Sequence, residues 1–216
     1  MRRHIVMSAI LLASSFTLIT TAAQAKDQVK ITPKMMSAKV KHNGKTVTIK
    51  RNQNQKHTVN PAFAKTSRKC PPFCIRPAAL APGIETVAEL EVIKYVQRAS
   101  NGENVLLVDA RTPDWAKKGT IPTSINVPFT KLVASKGADD VTIAEALEHF
   151  GAKEAEKGWD FSNAKTLVLF CNGMWCGQSP LAIKALLKLG YPAEKLKWYR
   201  NGMQDWEILG LSTVKP

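Results

Sequence analysis

Two short apolar runs, Val105-Leu106-Leu107-Val108-Asp109 and Thr166-Leu167-Val168-Leu169-Phe170, limit the fold of this 216-residue chain more than any other feature. Neither run alternates polar with apolar side chains, so both faces of each strand need cover. That is the habit of parallel strands sheltered by helices on either side. Thr86 to Glu89 reads as a capping box opening a helix with Val87, Leu90, Ile93 and Val96 on its inner face, ended by Asn101-Gly102. Thr142 to Glu145 reads as a second capping box, for a helix running through Leu147 to Phe150. Ser179-Pro180 caps and starts a third helix, Leu181 to Leu189, which Gly190 ends. Ile125-Asn126-Val127-Pro128 and Leu196-Lys197-Trp198-Tyr199 supply further strands, and Met203 to Leu209 forms a short closing helix carrying Trp206. This alternation predicts one α/β domain over residues 86–216, a mainly parallel central sheet flanked by helices.

The segment ahead of that domain has a different character. Met1-Arg2-Arg3-His4 is a basic leader to the apolar run Ile5 to Ala22, and Ala23-Gln24-Ala25 is a small-x-small cleavage site. Residues 1–25 are read as a signal peptide, which makes the mature protein periplasmic. The competing reading is an uncleaved anchor in the inner membrane, since the apolar run approaches a bilayer span in length. Residues 26–69 form a basic extension holding twelve Lys or Arg against Asp27 alone. In an exported protein that charge points away from nucleic acid and towards an anionic surface or an acidic partner, or to no partner at all. Within it, Ala38 to His42, Asn43-Gly44 and Lys45 to Lys50 read as a β-hairpin on a two-residue turn. Gln53 to Lys69 lacks periodicity and either wraps along the following domain or stays mobile. Residues 70–85 form a Cys/Pro-rich joint.

The four cysteines fall in two close pairs, Cys70/Cys74 and Cys171/Cys176. A chain of this length buries enough surface to fold without disulfide staples, so sulfur or redox chemistry competes with a purely structural role. Cys171 follows a buried strand directly, at the carboxyl edge where open α/β sheets bind ligands. The loop after it feeds a helix N-terminus, whose N–H groups and dipole favour a thiolate over a thiol. Cys70 and Cys74 read as a Pro-braced disulfide anchoring the extension, or as a relay to the second pair if the joint lies over it. Their spacing fits no structural zinc pattern, and His4, His42, His57 and His149 all stand away from the cysteine pairs, so neither a metal nor a cofactor is expected.

Three ordered motifs carry a family resemblance. Val108-Asp109-Ala110-Arg111-Thr112, Trp115 and Gly119-Thr120-Ile121-Pro122-Thr123-Ser124-Ile125-Asn126-Val127-Pro128 form the first. Leu169-Phe170-Cys171 with its loop is the second, and Gly190-Tyr191 followed by Leu196 to Trp206 is the third. Together they resemble the rhodanese-like domain family. The resemblance implies the rhodanese α/β fold, a persulfide carried on Cys171, and a supporting role for Asp109 and Arg111 around the site. It also implies a small sulfur donor and a thiol acceptor as partners.

Departures from the family pattern sharpen the reading. Seven residues, Asn172, Gly173, Met174, Trp175, Cys176, Gly177 and Gln178, separate Cys171 from Ser179, more than in the usual loop. Gln178 stands where the family often has Arg, so an anionic donor such as thiosulfate loses a charge-assisted partner. Thr120 replaces the family's usual His. Cys176 lies in the same loop, within reach of a disulfide if the side chains turn inward. Trp175 serves either as a recognition surface or as packing for the longer loop. The sulfurtransferase reading therefore competes with a thiol–disulfide oxidoreductase that uses Cys171 and Cys176, and with a non-catalytic binding module.

Overall fold

The computed structural model describes residues 28–216, so the leader and its cleavage site at residues 1–25 lie outside the described residues. The hairpin comes first, with β1 (Ser37–His42) antiparallel to β2 (Lys45–Lys50) and Ser37 opposite Lys50. Asn43 and Gly44 turn it with φ of 48° and 76°, the left-handed pair that a two-residue hairpin turn requires. Ala38, Val40 and Ile49 are buried on one face. Gln53 to Lys69 wraps along the domain: Phe63 is buried and its carbonyl accepts a hydrogen bond from Gln204 Nε2 at 3.1 Å.

The domain continues with β3 (Glu85–Val87), α1 (Glu89–Ser100), β4 (Val105–Asp109), α2 (Pro113–Ala116), β5 (Ile125–Asn126) and α3 (Asp140–His149). A small antiparallel pair, β6 (Lys153–Glu154) and β7 (Trp159–Asp160), precedes β8 (Thr166–Phe170), α4 (Gln178–Lys188), β9 (Leu196–Tyr199) and α5 (Gly202–Ile208). The five-stranded sheet has the order β3-β9-β8-β4-β5 and every pairing is parallel. The two apolar runs are its inner neighbours, with Leu107 opposite Val168 and Asp109 opposite Phe170. Strand pleating sends Val108, Leu167 and Leu169 to one face, against Leu147 of α3 and Ile183 and Leu186 of α4. Leu107, Val168 and Phe170 face the other way, onto Ile93 and Val96 of α1, Trp206 of α5, and Val40 and Ile49 of the hairpin. Both faces of the sheet are covered, as the unbroken apolar runs require.

Three helix starts differ from the sequence reading. Thr86 is not a cap: residues 85–87 pair with β9, Thr86 Oγ1 donates to Ala78 O at 2.5 Å, and α1 opens after Ala88. Val87 is therefore a buried strand residue, Val92 joins Ile93 and Val96 inside, and Leu90 is exposed. The edge-strand pairing outcompetes a capping box worth about 1 kcal/mol. Asp139, rather than Thr142, caps α3, accepting from Thr142 N at 2.8 Å, so the helix begins ahead of the expected box. Helix α4 starts at Gln178 after Gly177. Ser179 sits in its first turn with its hydroxyl accepting from Trp198 Nε1 at 3.2 Å. Pro180 is tolerated there because the first turn leaves its N–H groups unused.

Candidate active site

The ends of β4 and β8 make the floor of the site. Asp109 ends β4, and Arg111 curls back to it, with Nη2 2.6 Å from Oδ2 and Nε 2.8 Å from Oδ1. Both side chains have zero solvent exposure. Thr120 Oγ1 donates to Asp109 Oδ2 at 2.8 Å, and Arg111 also donates through Nη2 to Gly119 O and through Nη1 to Asn172 Oδ1, at 2.7 and 3.3 Å. A buried pair of charges is tolerable only when further hydrogen bonds of this kind offset its desolvation. Asn172 is thereby held from below, next to Cys171.

The loop that follows is fastened at its base by α5. Met203 N and Gln204 N donate to Cys171 O and Asn172 O, each at 2.9 Å. This approach needs Gly202, whose φ is +60° and whose added Cβ would lie 2.9 Å from both Cys171 C and Gly173 N. Gly202→Ala is expected to cost roughly 2–4 kcal/mol, combining left-handed strain with overpacking. Urea denaturation measures it, and a loss below about 1 kcal/mol would mean that the loop yields easily.

Cys171 and Cys176 are joined as a disulfide with Cα atoms 6.2 Å apart, so the vectors do turn inward. Cys176 N donates to Gly173 O at 2.8 Å, which closes the loop into a tight turn. Gln178 Oε1 lies 3.5 Å from Cys171 Sγ and 3.9 Å from Cys176 Sγ. Gln178 thus reaches the sulfurs as a neutral dipole where a cation would otherwise stand. Trp175 Nε1 donates to Gln204 Oε1 at 2.8 Å, so its ring is both oriented by α5 and open to the cavity above.

The Cys/Pro-rich joint covers this loop. Cys70 and Cys74 form a second disulfide. Phe73 packs edge-on against Trp175 with centroids 5.6 Å apart, and the Arg68 guanidinium stands 3.9 Å above the Trp175 ring. Arg76 N donates to Met174 O at 2.9 Å, and Arg200 Nη2 donates to Arg76 O at 2.7 Å. Between joint and loop lies a cavity of about 370 Å³ that reaches Cys176 and Gln178. At the neighbouring sheet end, burial and the adjacent Glu89 carboxylate push the Tyr199 hydroxyl well above its ordinary pKa, and burial followed by Glu89 raises Asp205. Tyr199 donates to Glu89 Oε1 at 3.0 Å and packs edge-on against Trp206 of α5. Among the described residues, no group of three or more His, Cys, Asp and Glu side chains is arranged to hold a metal ion.

The structure brings the expected loop residues 171–179 together with Asp109 and Arg111. Cys70 and Cys74 pair with each other in the covering joint. Sequence reasoning missed Arg68, Phe73, Arg76, Gly202 and Gln204, all of which touch or hold the loop. The proximity of Arg68 and Arg76 to Cys70 and Cys74 was the available signal, but nothing local to those residues places the joint over Cys176.

Comparison with known proteins agrees with this architecture. The family model described as "Rhodanese-like domain" matches residues 92–209, more than half of the chain. An HTH-type transcriptional regulator of Mycobacterium tuberculosis is 25% identical over 118 residues, covering 55% of this chain and 41% of that protein. The chain thus spans well under half the length of that curated relative. Among solved structures, the human single-domain sulfurtransferase is 22% identical, covering 56% of this chain and 93% of that one, with a TM-score of 0.35. A 3-mercaptopyruvate sulfotransferase of Escherichia coli is 22% identical over 56% of this chain and 43% of that one, TM-score 0.38. The arsenic–antimony reductase of Leishmania major is 18% identical over 56% and 76%, TM-score 0.39. With its parallel sheet, its cysteine loop at the end of β8 and the match over residues 92–209, the chain belongs to the rhodanese-like domain family.

Proposed function

We propose that this chain is an exported sulfurtransferase of the periplasm that carries sulfane sulfur as a persulfide on Cys171. The observation that carries the reading is the position of Cys171, at the carboxyl end of a central strand in a loop that runs into the N-terminus of α4. The helix dipole there favours an anionic sulfur. In the first half-reaction the Cys171 thiolate attacks the terminal sulfur of a sulfane donor. The donor's S–S bond breaks, and the electron pair leaves with the donor remnant. In the second, an acceptor thiolate attacks the outer sulfur of the persulfide, takes it with its proton, and restores the Cys171 thiolate.

Cys176 gives the site a branch of its own. Its thiolate attacks Cys171 Sγ of the persulfide, hydrosulfide leaves, and the Cys171–Cys176 disulfide forms, as found here. That bonded pair also favours the second reading, a thiol–disulfide oxidoreductase. The basic extension is proposed to meet an anionic surface or an acidic partner.

Mass spectrometry of the reduced protein after exposure to thiosulfate or a polysulfide separates the two readings. A gain of one sulfur atom on Cys171, retained in Cys176→Ser, is the expected result. A protein that only cycles between dithiol and disulfide, and never takes up sulfur, would establish the oxidoreductase instead.

A further inference from the structure

The cavity beside Cys176 has a lopsided lining. Arg68, Arg76 and Lys136 reach it, no carboxylate lines it, and none of the three is ion-paired among the described residues. The Nε atoms of both Arg68 and Arg76 are buried without a hydrogen-bond partner. Buried donors left unspent are costly and call for an acceptor. Arg76 is also aimed: a Cβ added to Gly177, at the start of α4, would sit 2.8 Å from its Nη2. The rest of the lining includes the apolar side chains of Phe73, Trp115, Phe129 and Leu181. Both arginines lie outside the matched domain of residues 92–209. Of the two loop cysteines, Cys176 lines this cavity, whereas Cys171 is not part of its lining.

We propose that this cavity is a subsite for an organic thiol or disulfide bearing a carboxylate or sulfonate on an apolar body, and that it delivers the ligand's sulfur to Cys176. Arg68 and Arg76, supplied by the disulfide-closed joint, take the anionic group, while the aromatic walls take the apolar body. A volume of about 370 Å³ suits a substituted aromatic acid and exceeds what a small inorganic anion fills. The step is an exchange. The ligand thiolate attacks Cys176 Sγ, the Cys171–Cys176 bond breaks, and its electron pair stays on Cys171 as a thiolate. A second ligand thiolate attacks the mixed disulfide, leaving Cys176 as thiolate and the ligand as its symmetrical disulfide. Two ligand thiols are oxidised and one protein disulfide is reduced. The inference rests on the reading above only in taking this loop as the reactive one.

The test uses the Cys171→Ser chain, in which Cys176 is the only cysteine left without a disulfide partner. Its rate with 5,5′-dithiobis(2-nitrobenzoate), an aromatic disulfide with two carboxylates, is compared with its rate with neutral 4,4′-dithiodipyridine. Each rate is divided by that of N-acetylcysteine with the same reagent. A preference of about tenfold for the anionic reagent is expected, the size of a charge-assisted contact in a partly dry site. Arg68→Gln/Arg76→Gln in the same background should bring the preference close to that of N-acetylcysteine. Arg68→Lys/Arg76→Lys, which keeps the charge, should retain most of it, separating lost charge from lost folding. A preference no larger than that of N-acetylcysteine, or one unmoved by the Gln pair, overturns the proposal. Sulfur uptake by wild-type Cys171 is scored separately, so failure of the transferase reading leaves the reagent preference to decide the subsite.

Discussion

Arg111→Met is expected to lower the stability of the chain by about 3–5 kcal/mol, the largest loss among the substitutions considered. The reason is the state in which it leaves Asp109. That carboxylate has no solvent exposure, and Arg111 holds both of its oxygens, at 2.6 and 2.8 Å. Only the Thr120 hydroxyl and the Arg111 amide would remain to it. Methionine fills the volume but brings no donor, so an uncompensated charge stays in the interior. The double variant Asp109→Asn/Arg111→Met removes the charge as well and should recover at least half of the loss. Urea denaturation of the two variants measures this. Equal stability of the single and double variants would show that the cost comes from lost packing and not from a stranded charge. Arg111→Met also frees Asn172, so the loop should become more mobile even where the fold survives.

Cys171→Ser is expected to abolish sulfur loading outright, because a hydroxyl at this position is neither ionised nor able to form a persulfide. The informative comparison is with Cys176→Ser. Either change opens the disulfide, whose closing of a five-residue separation contributes about 2 kcal/mol in the chain-entropy view. Stability should therefore fall by similar amounts in both variants, while sulfur uptake disappears only in Cys171→Ser. Peptide mass spectrometry after polysulfide exposure, alongside urea titration, separates the two effects. Sulfur uptake that persists in Cys171→Ser would move the carrier role to another cysteine. If neither variant changed partner binding or any cellular phenotype, the domain would be acting as a binding module.

The sheet was legible because its strands are written without ambiguity. Val105–Asp109 and Thr166–Phe170 are short, unbroken and apolar, and burial on both faces leaves few alternatives to a parallel interior pair. The hairpin was equally plain, since Asn43-Gly44 suits a left-handed turn that most other residues resist. Helix starts were read less well. Thr86, Thr142 and Ser179 each satisfy a local capping pattern, but each is engaged otherwise: with Ala78, with Asp139 and with Trp198. Local chemistry proposes a cap, and tertiary pairing decides whether it is used. The same limit applies to the site. The cysteines and the Asp109–Arg111 pair could be named from motif order. Arg68 and Arg76 could not, because a segment with no periodicity leaves no trace in sequence of where it folds back.

The two ends of the described chain are sewn to one another. Asn52 N donates to Gly210 O, Ser212 N donates to Lys50 O, Arg51 Nε donates to Leu209 O, and His42 shares a hydrogen bond with Lys215 O. The hairpin precedes the sheet in the chain and is among the last parts to be seated, since its seam waits for residues some 160 positions later. Until residues 209–215 have emerged, Val40 and Ile49 have no finished wall to rest on and the sheet face above Trp206 stays unsealed. Long-range closure of this kind slows folding and lengthens the time a nascent chain needs shelter. A chain cut short after residue 200 would thus keep every strand of the sheet and leave its hairpin without a seam.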